Sequence, residues 1–127
     1  MAHGTAHIGD THWRTEIVVG GHAITADEPE ALGGQGAGPA PYDLLLASLG
    51  ACTAITLKMY AARKGWPLQS LDVELHLGGG KDGMHIERRL PIIGLDEDQK
   101  ARLADIAERT PVTLTLKGGS PIETTLA

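Results

Sequence analysis

The sequence contains no phenylalanine, and its two tryptophans and two tyrosines make up only 3% of 127 residues. Any core must therefore be assembled from Leu, Ile, Val, Ala and Met. There is a single cysteine, Cys52, which excludes an intramolecular disulfide, a disulfide scaffold and a two-cysteine metal knuckle. Positive charge is also scarce. Eleven Lys and Arg stand against sixteen Asp and Glu, a net charge of −5, which argues against nucleic acid or an anionic membrane as the partner. The longest uncharged apolar stretch, Leu44 to Leu57, is shorter than the ~20 residues that span a bilayer, and the N-terminus carries no apolar signal segment. The expectation is a soluble protein of a reducing cytoplasm, with no metal and no other cofactor.

What is present is ordinary globular composition, 42% hydrophobic and 21% charged, in enough chain for one domain, residues 1–127. Trp13–Val19 and His22–Ala26 read as a hairpin broken by Gly20-Gly21, after a mobile N-terminus. Asp27–Pro41 reads as a flexible loop rich in Gly, Ala and Pro. Tyr42–Lys64 is strongly helical, with Pro41 and Asp43 suited to its first turn. It is apolar nearly all the way round as far as Lys58, so it must be buried on most of its surface, and a second subunit is needed to help cover it. Leu71, Val73, Leu75 and Leu77 alternate with polar residues, and the chain returns as a second hairpin from Met84 to Ile93 after a turn at 78–83. Asp96 with Gln99 predicts a capping box, Thr110-Pro111 a new N-cap with proline at the first position, and Ile122–Leu126 a final strand. The predicted class is α+β, in the order ββ-α-ββ-α-β.

The glycine-rich run 33–38 lacks the Lys-Ser/Thr of a P-loop and does not sit in a βαβ unit, so both nucleotide contexts fail. Backbone N–H groups at the start of the next helix could still hold an anion. The six histidines have no metal-site spacing and read as surface residues. Ser48, Ser70 and Ser120 lie in no GxSxG elbow. Cys52 remains, mid-helix among small residues, and to act as a nucleophile it needs a nearby cation that favours the thiolate. Asp43 and Lys58 point away from it around the helix. The cation must come from another element, and Arg14, Arg88 and Arg89 are the candidates.

The run from Gly38 through Tyr42-Asp43-Leu44 to Gly50-Ala51-Cys52-Thr53, with Lys64-Gly65-Trp66, Ile86-Glu87-Arg88-Arg89 and Ala107-Glu108-Arg109-Thr110-Pro111-Val112, resembles the OsmC/Ohr family of organic-hydroperoxide reductases. It is nearest the OsmC-like branch that also occurs fused to α/β-hydrolases. The resemblance implies an intertwined homodimer with the two long cysteine-bearing helices at its centre and the active site at the subunit interface. It implies that Cys52 is the peroxidatic thiol and that Arg14 is the activating arginine. Two positions depart from the pattern. Thr110 stands where a resolving cysteine is usual, and Tyr42 where a glutamate is usual.

Two functions follow. In the first, Cys52 reduces an organic hydroperoxide between walls formed by Leu45, Leu49, Ile55, Met59 and Tyr42, and an external thiol reductant regenerates it. In the second, the same dimer is a non-catalytic binding or scaffold protein, and Cys52 is inert.

Overall fold

In the computed structural model, which describes residues Met1–Ala127, Gly20 and Gly21 both take positive φ (58° and 80°). That is the backbone of a tight hairpin turn. The strands it joins, β2 (Thr15–Val19) and β3 (His22–Ala26), pair antiparallel with Ile17 opposite Ile24. The N-terminus, expected to be mobile, instead supplies β1 (Gly4–Ile8), which pairs with the outer edge of β2 from Gly4↔Val19 to Ile8↔Thr15. Its five residues are all exposed and carry no alternation, so backbone pairing alone makes this strand.

The chain divides into two compact units, Met1–Leu45 and Leu46–Ala127, and helix α1 (Pro41–Lys64) runs unbroken through the boundary. In the second unit α1 buries Leu49, Thr53, Leu57 and Ala61, a stripe with a repeat of four residues. That stripe is narrower than the helix's apolar surface, and Ile55 and Met59 stay more than half exposed. Over its most apolar 18 residues, which reach a mean hydropathy of 1.5, the helix is long and apolar enough to cross a membrane by length and composition. Counting only the uncharged residues had placed it below that length.

The second hairpin is β5 (Glu74–Gly80) with β6 (Gly83–Arg89), and the short strands β4 (Ser70–Leu71) and β7 (Ile92–Ile93) pair separately. The turn is tighter than expected. Gly79 and Gly80 remain in the ladder, opposite Met84 and Gly83. The capping box forms at the start of α2 (Glu97–Ala107), where Asp96 Oδ1 accepts from Gln99 N at 2.8 Å and Gln99 Oε1 accepts from Asp96 N at 3.0 Å. Thr110 then caps a third helix, α3 (Pro111–Gly118), with Pro111 at its first position. Leu57, Leu103 and Ala107 form the core, with Tyr60, Trp66, Leu90 and Ile106 packed around them. The α+β class stands. The expected final strand is absent: residues 122–126 pair with nothing in this chain, and Ile122 and Leu126 are exposed.

Candidate functional site

The glycine-rich loop is not a free anion cradle. Asp27, only 3% exposed, fills it from within, accepting hydrogen bonds from the backbone N–H groups of Glu28 (2.8 Å), Gln35 (3.1 Å) and Ala37 (3.1 Å). The Ala37 bond is the main reason its carboxyl lies below the usual range. A side chain at Gly34 would overlap the Glu28 carbonyl, and one at Gly38 the Thr25 carbonyl, so the loop is closely packed rather than flexible. Just before α1, Asp43 Oδ2 accepts from Ala40 N at 3.0 Å, which ties the entry of the helix to its first turn.

Cys52 is half-buried on α1, and its sulfur accepts the Val112 backbone N–H at 3.5 Å. Val112 is the second residue of α3, where an N–H has no acceptor within its own helix. The sulfur therefore meets the positive end of a helix. Thr110, 1% exposed, stands at the same turn with its hydroxyl 2.7 Å from that of Thr113. Leu45 and Met59 lie seven residues before and after Cys52 and so share its face of α1. Ile55 and Tyr42 are exposed, whereas Leu49 belongs to the stripe packed inside the chain.

The three candidate cations separate clearly. Arg14 donates to Glu16 at 2.7 Å, and this bond, helped by one from Thr25, lowers the Glu16 carboxyl. Arg89 points outward and grips Glu74 with two bonds of 2.6 and 2.7 Å. Arg88 turns inward. Its Nη1 donates to Thr53 Oγ1 (3.0 Å) and Thr113 Oγ1 (2.9 Å), and its Nη2 to the Ala107 carbonyl (2.7 Å). The sequence carried a sign of this, because Arg88 falls in phase with Ile86 and Leu90 on the half-buried side of its strand. His76 and His85 do not face one another across the second hairpin, since His76 lies opposite Glu87 and His85 opposite Gly78.

The family model described as OsmC-like protein matches residues 34–125, most of the chain and all of α1 to α3. The chain belongs to the OsmC family. No curated protein matches it in sequence. Among solved structures, an organic hydroperoxide resistance protein OsmC from Legionella pneumophila is similar at 21% identity and a TM-score of 0.70, covering 93% of this chain and 90% of its own. An OsmC-like protein of Mycoplasma pneumoniae has 22% identity and a TM-score of 0.72, over 94% and 89%. The organic hydroperoxide resistance protein OhrB of Bacillus subtilis has 22% identity and a TM-score of 0.64, over 94% and 92%. At these identities the likeness establishes the OsmC fold.

Proposed function

We propose that the protein is a one-cysteine thiol peroxidase that reduces organic hydroperoxides as a cytoplasmic homodimer. The observation that carries this reading is the half-buried Cys52 sulfur accepting the free Val112 N–H at the start of α3. A donor of this kind binds a thiolate more strongly than a thiol. The thiolate attacks the terminal peroxide oxygen, the O–O bond breaks, and the alkoxide leaves as the alcohol after taking a proton, which leaves Cys52 as sulfenic acid. A first external thiol displaces water to give a mixed disulfide, and a second releases Cys52. Arg14 is assigned the activating role by the resemblance, and Leu45, Ile55, Met59 and Tyr42 supply apolar walls that suit an alkyl peroxide. The solved relatives described as hydroperoxide resistance proteins support the same chemistry.

The dimer rests on surface. The chain exposes 9268 Å², roughly 2,800 Å² more than expected for a folded monomer of its mass. Such an excess is of the size that a permanent subunit interface buries. The exposed apolar side of α1 supplies part of it, and a second copy of that helix is the cover we assign.

The competing reading, a non-catalytic dimer, is favoured by one observation: the position of the second sulfur is held by a threonine already engaged with Thr113. Intact-mass spectrometry after one equivalent of cumene hydroperoxide separates the two. The peroxidase gains oxygen or, with a small thiol present, a thiol adduct, both absent in Cys52→Ser. No change in mass makes Cys52 inert and favours the non-catalytic dimer.

A further inference from the structure

We propose that Arg88 is a positioning residue for Cys52, holding the first turn of α3 so that the Val112 N–H stays aimed at the sulfur. The inference rests on the reading of Cys52 as the nucleophile. Arg88 forms no ion pair, although a carboxylate is the usual partner of a guanidinium drawn in from water. Its fork instead spans three helices: Thr53 on α1, the last residue of α2 through the Ala107 carbonyl, and Thr113 in the first turn of α3. Thr53 directly follows Cys52, and Thr113 directly follows Val112, so the fork holds the neighbours of both ends of the N–H···S contact.

Thr113 Oγ1 in turn donates to the Ala107 carbonyl at 3.2 Å, and Thr53 Oγ1 to the Leu49 carbonyl at 2.7 Å. The hydroxyls are thereby oriented to receive the arginine. A lysine could carry the charge but not the geometry, because one ammonium cannot reproduce a planar fork across three acceptors.

Nearby charged groups are already matched. Glu108 pairs with Lys117 at 2.6 Å, which is the main reason its carboxyl is lowered, with Arg88 adding a smaller effect. Glu74 pairs with Arg89, Glu87 with His85, Asp105 with Arg102 and Arg109, and Lys58 reaches the Leu68 carbonyl. None of these is freed when Arg88 is replaced.

The test is the rate of Cys52 alkylation by iodoacetamide as a function of pH, measured with thermal unfolding for wild type, Arg88→Lys, Thr113→Val and Arg89→Lys. Arg88→Lys should move the profile to higher pH and slow the reaction about tenfold at pH 7, as expected for one hydrogen bond to an anion. Thr113→Val should move it the same way by less, and Arg89→Lys should leave it in place. If Arg88→Lys and Thr113→Val lower the unfolding temperature but leave the profile of the folded protein unmoved, Arg88 is structural only and the proposal falls. Should Arg88→Lys fail to fold, Thr113→Val decides alone by the same criterion. Alkylation needs no peroxide, so a protein that shows the shift yet gains no oxygen would overturn the peroxidase and keep the positioning role.

Discussion

Asp27 and Arg88 are both charged side chains drawn in from water without an ion pair, and their charges are met in opposite ways. Asp27 is surrounded by backbone N–H groups of its own loop, none more than ten residues away. Arg88 reaches oxygens 19 to 35 residues away, on three different helices. The first charge shapes a segment, and the second joins segments that the sequence keeps apart. Loss of Asp27 should therefore be felt locally, whereas loss of Arg88 should be felt in the whole second unit.

The largest effect is expected from Arg88→Met, which keeps the bulk but removes the guanidinium bonds to Thr53, Thr113 and the Ala107 carbonyl, leaving that carbonyl only the longer bond from Thr113. A hydrogen bond to a charged group contributes about 1.5–3 kcal/mol, and the bonds that remain together with some water entry offset part of the loss of three, so a fall of about 3 kcal/mol in unfolding free energy is expected. Chemical denaturation measures it. A loss under about 0.5 kcal/mol would mean that the three helices hold together without the fork.

Gly34→Ala comes next. Its Cβ would overlap the Glu28 carbonyl, so the loop must move away from Asp27. The expected result is a fall of several degrees in Tm, with the Gln35 and Ala37 amides losing protection from hydrogen exchange while the α2 amides keep theirs. Equal loss in both places would refute the local character assigned to the loop.

Much of this contrast could not be read in advance, for physical reasons. Features that depend on neighbours in sequence were legible: the Gly20-Gly21 turn, the apolar run of α1, the Asp96–Gln99 box and the Thr110-Pro111 cap. Val112-Thr113-Leu114-Thr115-Leu116 has the alternation of a strand, yet it is helical, because its cap and first-position proline prevail over β-branched propensity. Residues 122–126 alternate as well, but a strand requires a partner edge, and this chain supplies none. Near Cys52, Arg88 and Arg89 differ by which side of β6 each one faces, whereas Arg14 precedes β2 and is held by Glu16. Strand phase gave a hint for Arg88, but its acceptors became visible only once α1, α2 and α3 met. The Asp27 nest had no sequence signal beyond its glycines, which are equally consistent with a flexible linker.

The smallest effect at neutral pH, and the sharpest test of the comparison, is the response of the two regions to acid. The Asp27 carboxyl is held below its ordinary value chiefly by the Ala37 N–H. A carboxyl whose folded pKa is depressed contributes stability above its unfolded value, about 3.9, and loses it as pH falls through the lower folded value. Protonation removes the charge that the three N–H groups converge on, so the loop should loosen only below about pH 4. The oxygens that receive the Arg88 fork belong to two hydroxyls and a carbonyl, none of which is an acid in that range. Amide NMR during acid titration should therefore show Gln35 and Ala37 shifting together with a midpoint below 3.9, while Thr113 moves little. In Asp27→Asn the first two curves should be flat. A Thr113 amide that follows the same midpoint would mean that the arginine fork senses a nearby carboxyl, and the division between a titrating loop and a non-titrating junction would be lost.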